Sequence, residues 1–301
     1  MKGGTFEEKN VDSRHLTGLL LSLAAFTLWT GGDSLAKHLS NVGMPPILLV
    51  GLSGLLCCLF LAAKAATKES LRRLWPTSPK WVVLRAIINL FTGVCFYSAY
   101  RTLPLANAYV VEFVGPLLVA LGAAIFFKEK LSILKGAIIL MGFVGAVIAV
   151  DPSLLSAQGG GMGYLFSIAG TLLMTANQLI LRRISGKETP EAIMFASNLL
   201  SVLFFLLPQV TTALSFSAMD YLCLAVFSTL SLSGFYMFLA SLERTTSANA
   251  AFAQYWQIVP GALIGTVVWD TLPTTQLLVG AAIIIAAGIL LARETHKNNP
   301  D

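Results

Sequence analysis

Charge is scarce in this sequence. Asp, Glu, Lys and Arg make up 12% of its 301 residues, about half the ~25% usual in soluble domains, which points to lipid as the solvent. Histidine is scarcer still: His15, His38 and His296 all sit in tails or at the ends of apolar runs. No G-x-S-x-G, H-E-x-x-H or P-loop pattern occurs, so serine-hydrolase, zinc-protease and nucleotide-hydrolase chemistry is excluded on motif grounds. Gly159-Gly160-Gly161 lacks the Lys-Ser or Lys-Thr that a phosphate loop needs, and reads as linker. The four cysteines (Cys57, Cys58, Cys95, Cys223) lie inside apolar runs without C-x-x-C spacing, so they read as packing residues rather than metal ligands or disulfides. Residues 1–15 are polar and of mixed charge, and the first apolar run carries an acid and no small-residue cleavage site. It is expected to persist as the first span rather than be removed as a signal.

Long apolar runs, by contrast, fill the chain: 56% of residues are hydrophobic. Each run approaches the ~20 residues that cross a ~30 Å hydrocarbon core. Their backbone groups have to be satisfied internally, and runs such as Gly136 to Val150 lack the alternation of a barrel strand, so helices are expected. Ten spans are placed at 16–36, 46–65, 81–100, 105–127, 133–150, 163–181, 190–208, 220–241, 247–268 and 275–292. Short connections leave no room for a soluble catalytic domain. With both termini cytoplasmic, eighteen of the 20 Lys and Arg fall on the cytoplasmic side, Lys37 and Arg101 being the exceptions. A missed span would scramble that asymmetry. The net charge of +5 is therefore read as a topology signal and not as a nucleic-acid footprint.

The two halves resemble each other. Thr30-Gly-Gly-Asp33 through Ser40 lies over Thr175-Ala-Asn-Gln178 through Ser185. Arg101 through Ala106-Asn107-Ala108 lies over Glu243 through Ala248-Asn249-Ala250. Pro116 meets Pro260 after a two-residue shift, and Glu129 and Gly136 meet Asp270 and Gly280. Five spans per half is an odd number, so the second half would be inverted, as in many secondary transporters. The expected architecture is all-α integral membrane: ten transmembrane helices as two inverted five-helix repeats, 1–150 and 163–301, joined by an outer loop at 151–162.

These features together resemble the drug/metabolite transporter superfamily, its EamA-type branch. They are the five-plus-five layout, the Ala-Asn-Ala entries to spans 4 and 9, the paired prolines, and the Glu129–Gly136 pattern before span 5. Asp270 departs from the glutamate usual at its position. The resemblance implies a central cavity lined by spans 1, 3, 4, 6, 8 and 9, alternating access, and transport of amino acids or other metabolites across an inner or plasma membrane.

Ionisable groups inside a membrane are costly and by default functional candidates. Asp33 in span 1 and Glu112 in span 4 are the two acids clearly within spans, both roughly 5–10 Å below the outer ends at 1.5 Å per residue. Their repeat mates are the amides Gln178 and Gln254. Lys37, one turn from Asp33, offers an ion pair; Arg101 offers one to Glu112. Trp29, Tyr97, Tyr109, Phe113, Tyr236, Tyr255 and Trp256 flank these positions and are either packing residues or a wall suited to organic cations and planar rings. Asn107 and Asn249 stand where they could cap helices. Pro116 and Pro260 each remove a mid-span hydrogen bond, which makes them candidate gating hinges. Glycines 142, 145, 280 and 288 permit close helix approach, the one sequence hint of a homodimer. The reading is a proton-linked secondary carrier for a zwitterionic or cationic metabolite, amino acid or nucleoside-like, with no cofactor, metal or nucleic acid. Alternatives are an organic-anion carrier using Arg101 and Lys37, or an intramembrane enzyme or sensor.

Overall fold

A computed structural model describes residues 4–68, 71–126, 133–149, 160–184, 187–242, 244 and 253–298. Those residues contain helices and no strand. We number the α-helices α1 Gly4–Asn41, α2 Pro46–Lys68, α3 Pro79–Thr102, α4 Leu105–Glu112, α5 Gly115–Phe126, α6 Ile133–Ala149, α7 Gly160–Ile184, α8 Pro190–Ser201, α9 Val210–Ala213, α10 Ala218–Leu242, α11 Ile258–Trp269 and α12 Thr275–Asn298. Seven stretches are long and apolar enough to cross a membrane, from Leu16–Asn41 to Ala218–Ser241, and Gly136–Ala149 and Thr275–Leu290 are shorter apolar helices. Large apolar side chains face outward, Val147 at 75% and Leu263 at 64% exposure, where water would penalise them and lipid would not. The chain is a multi-pass membrane protein.

Local chemistry explains where the helices start and stop. Pro46, Pro79 and Pro190 open α2, α3 and α8, the position where a missing N–H costs nothing. Thr189 caps α8 by accepting from the Ala192 N–H at 3.2 Å. Gly43, at φ 103°, lets α1 end in a tight return in which Met44 N–H reaches the Leu39 carbonyl. Pro116 does not kink a continuous helix. The chain breaks just before it, α4 ending at Glu112 and α5 starting at Gly115. The second-half counterpart is a change of pitch: a 3-10 segment, Ala253–Gln257, runs into α11 two residues before Pro260. The helix expected from residue 247 lies outside the described residues until Ala253. The span expected over 190–208 is irregular, since α8 passes into a π-helical turn at Val202–Leu206 and a 3-10 turn at Leu207–Gln209. Gly51 and Gly54 of α2 face this irregular stretch, where a Cβ would meet the Leu206 backbone and the Ser201 side chain.

The most extensive packing runs between the halves. Helix α1 lies along α10, α3 along α7, and α6 along α12. All three pairs are antiparallel. Ser22 stands opposite Ser241, their hydroxyls 2.9 Å apart, and Gly32 opposite Ser231. On the second pair, Gly163 faces Thr102 and Gly170 faces Phe96, with Asn177 bonded to Asn89 further along. Gly142 packs on Leu117 and Ala287, and Gly145 and Gly280 pack on each other's helices, while Gly288 receives the Tyr255 ring. The four glycines expected at a homodimer contact are thus consumed within one chain.

Candidate functional site

The C-terminal ends of α1 and α3, with α4 and α11, form one end of the bundle, here the acidic end. Glu112 is 5% exposed and accepts from the Tyr100 hydroxyl at 2.9 Å. Asp33, half-buried, accepts from the Tyr109 hydroxyl at 2.8 Å. The Tyr100 and Tyr109 rings meet edge to face, centroids 6.0 Å apart, so two carboxyls stand behind two touching phenols. Tyr109 has no exposed surface, because its ring lies over Gly261 of α11, where a Cβ would come within 2.7 Å. Phe113 packs edge to face on Tyr255 at 5.2 Å, and Tyr97 borders Tyr100. Pro116 has no N–H to offer the Glu112 carbonyl four residues earlier, so this residue presents both a carboxyl and a main-chain acceptor at the helix break.

Neither ion pair open to these acids is formed. Lys37 is buried, and its ammonium donates to the Tyr100 and Leu103 carbonyls at 2.5 and 2.6 Å, with the Trp269 ring 5.5 Å away. Those carbonyls terminate α3, where acceptors lack helical donors and the helix dipole favours a cation. They hold the ammonium in place of Asp33. Arg101 is exposed and pairs with no acid among the described residues. An anion site built from Arg101 and Lys37 therefore has no support in the geometry. Asn107 does not cap α4, whose N-cap is Pro104; its amide donates to the Tyr164 hydroxyl of α7 at 3.3 Å. Asn249 lies outside the described residues.

The other expected residues disperse. Trp29 sits with Phe26 and Phe238 and donates to the Ser231 carbonyl. Trp256 is 43% exposed and donates to the Thr27 hydroxyl of α1 at 3.0 Å. Gln254 is buried in the 3-10 segment. Tyr236 belongs to the opposite, basic end. There Lys64 of α2 pairs with Glu191 of α8 at 2.9 Å and lies over the Tyr236 ring at 4.9 Å.

Gln178 is exposed, and its exposure is informative. The exposed apolar residues of α7 (Met162, Leu165, Ile168, Leu172) form a stripe toward lipid, and at ~100° per residue Gln178 points well away from it. On α3 the lipid stripe is Val83, Leu84, Ile87 and Phe91, and the exposed Asn89 stands on the roughly opposite side. An amide exposed on an inward side reaches water, not lipid. The carboxamides of Asn89 and Gln178 therefore mark polar, solvent-reaching positions on the inner sides of α3 and α7, toward the basic end. Tyr100 escaped the sequence reading because it acts across the Pro104 connection, where no helical period links it to Glu112.

Two carboxyls inside spans, Asp33 on α1 and Glu112 at the end of α4, each bonded to a phenol and to no cation among the described residues, form a polar site within an apolar bundle. The family model for the EamA-like transporter family matches twice, over residues 16–150 and 161–293. The chain belongs to the EamA-like transporter family. Within the drug/metabolite transporter superfamily, it is 27% identical to a riboflavin transporter of Rhizobium johnstonii over 72% of each chain. It is 34% identical to an aromatic amino acid exporter of Ancylobacter novellus over 48% of each. A pseudopaline exporter of Pseudomonas aeruginosa is 21% identical over 70% of this chain and 74% of that one. A crystal structure at 24% identity superimposes with a TM-score of 0.64, covering 92% of this chain and 98% of the other, which shows the shared fold. The EamA relatives are transporters rather than enzymes, and this chain is a transporter.

Proposed function

We propose that this EamA protein is a secondary active carrier that moves a small zwitterionic or cationic metabolite by alternating access, driven by protons exchanged at Glu112 and Asp33. One observation carries the reading: the two carboxyls sit inside spans, each held by one neutral phenol and by no cation among the described residues. A carboxylate so placed gains from a proton or an ammonium group arriving. The packing supports ten spans in two inverted repeats. If α1 corresponds to α7 and α3 to α10, exchanging the halves turns the α1–α10 pair into the α3–α7 pair and maps α6–α12 onto itself. The break beside Pro116 and the change of pitch beside Pro260 are the matching hinges. Relatives handle riboflavin, aromatic amino acids and pseudopaline, molecules with planar rings or amino-acid groups, compatible with the Tyr97, Tyr100, Tyr109 and Phe113 surround.

The test is uptake by proteoliposomes under an imposed pH gradient, with L-amino acids and riboflavin as solutes. Glu112→Gln keeps shape and removes ionisation, so driven uptake should fall about tenfold or more, the cost of ~1.4 kcal/mol or above, while the protein still folds. Asp33→Asn should fall comparably, since Asp33 has the same kind of partner and no Lys37 pair to lose. Undiminished driven uptake by Glu112→Gln overturns the proton assignment.

A further inference from the structure

Arg85 takes no part in the carboxyl site. It lies six residues into α3, about 9 Å from the helix start at 1.5 Å per residue, and is 8% exposed. Its Nε is buried without a hydrogen-bond partner, and among the described residues no carboxylate pairs with its guanidinium. A guanidinium that only snorkelled to the interface would expose its head. Here the side chain is nine-tenths buried and its Nε is left without an acceptor, so a group that brings negative charge is favoured beside it. Asn89, one turn further along α3, is exposed on the inward side and accepts from Asn177 of α7 at 2.9 Å, and Gln178 is the next residue of α7, also exposed on the inward side. Lys64, at the same end, has its charge met by Glu191.

We propose that Arg85, with the carboxamides of Asn89 and Gln178, is the site that receives the carboxylate of the transported metabolite at the basic end of the bundle. This rests on the transport reading above and adds the substrate class to it: a solute bearing a carboxylate. Planar bidentate geometry suits guanidinium to that group, and two flanking amides supply the further donors. Arg85 and Tyr100 lie fifteen residues apart along α3, about 22 Å, beyond the reach of one amino acid. The guanidinium and the Glu112–Asp33 pair are therefore two stations on one path. The solute's anionic group is met at the first and its cationic group, or a proton, at the second.

The experiment measures thermal melting of the full chain in detergent with benzoate, and with benzamide as the uncharged control. Benzoate should raise the wild-type melting temperature by a few degrees and benzamide should not. Arg85→Met should abolish the benzoate shift while melting, without ligand, no lower than wild type, because it removes an unmet buried charge. Arg85→Lys, which keeps the charge and loses the fork, should retain a reduced shift. No benzoate shift in wild type, an equal shift from chloride, or an Arg85→Met variant markedly less stable than wild type would each overturn the carboxylate site. Liposome uptake separates the two claims. Undiminished uptake of amino acids by Arg85→Met sinks this site and leaves transport standing. A benzoate shift that depends on Arg85, in a protein that moves no solute, does the reverse.

Discussion

At the acidic end, Asp33 and Lys37 stand one turn apart on α1 and do not pair; at the basic end, Lys64 and Glu191, 127 residues apart in sequence, do at 2.9 Å. The difference lies in what competes. Lys37 reaches the unsatisfied carbonyls closing α3, an acceptor set built into every helix end, and Asp33 is left to a phenol. At the basic end, Glu191 lies in the first turn of α8, where helix donors favour an anion, and the ammonium comes to it. The acidic end holds its two carboxyls apart from cations, and the basic end brings the Glu191 carboxyl to Lys64. Available carboxyls therefore mark the acidic end as the place for exchange, and paired ones mark the basic end as a place of attachment between α2 and α8.

Three substitutions test that contrast, the largest effect first. Gly261→Ala puts a methyl group within 2.7 Å of the Tyr109 ring, which is wholly enclosed and cannot retreat. Overpacking of this kind costs roughly 1–3 kcal/mol, so a lowered melting temperature and reduced uptake are expected. An unchanged melting curve would show that α11 yields and that the acidic end is not tightly sealed. Tyr109→Phe removes only the hydroxyl on Asp33 and should cost about 1–2 kcal/mol. Glu191→Gln should cost less than about 1 kcal/mol, because Lys64, 27% exposed, is solvated in its place. Equal losses from these two in detergent melts would erase the distinction between the ends.

The smallest effect is an acid limb. For Glu188, in the connection before α8, the largest single influence is burial, which pushes its carboxyl up. The hydroxyl and N–H of Thr77, with the Ser78 N–H, outweigh this and hold its carboxyl below the ordinary value of 4.5. The folded state thus favours the ionised form. Its stabilising contribution is complete above pH ~4.5 and is lost as pH falls through the depressed value. Wild type should lose stability relative to Glu188→Gln only in that acid window, as seen by melting at pH 3.5 and 6. A difference that persists unchanged between the two pH values would refute ionisation as its source.

The acids were legible in the sequence because so few charges interrupt the apolar runs. Asp33 and Glu112 stood out for that reason alone, and the structure brings both to one end. Their partners were not legible. Tyr109 was one of several aromatics near the acids, and Tyr100 reaches Glu112 across a turn at Pro104, a contact set by tertiary packing and not by helical period. Lys37 was misread because i,i+4 spacing ranks a side-chain partner above the carbonyls of another helix. Arg85 is one of the eighteen cations on the cytoplasmic side of the sequence, where a positive charge near a span end is usually a topology signal. Only its burial distinguishes it. Pro116 announced an irregularity, and Gly115 beside it moved that irregularity from a kink to a break. Nothing comparable announced the π turn after Ser201, which the Gly51 and Gly54 contact accommodates from another helix.

The three long seams, α1 with α10, α3 with α7 and α6 with α12, each join a helix of the first family repeat to one of the second. The repeats are interlocked rather than side by side, and a chain of residues 1–150 would leave the sides of α1, α3 and α6 without their mates. Each half expressed alone should therefore be degraded, and the two expressed together as separate polypeptides should rescue one another.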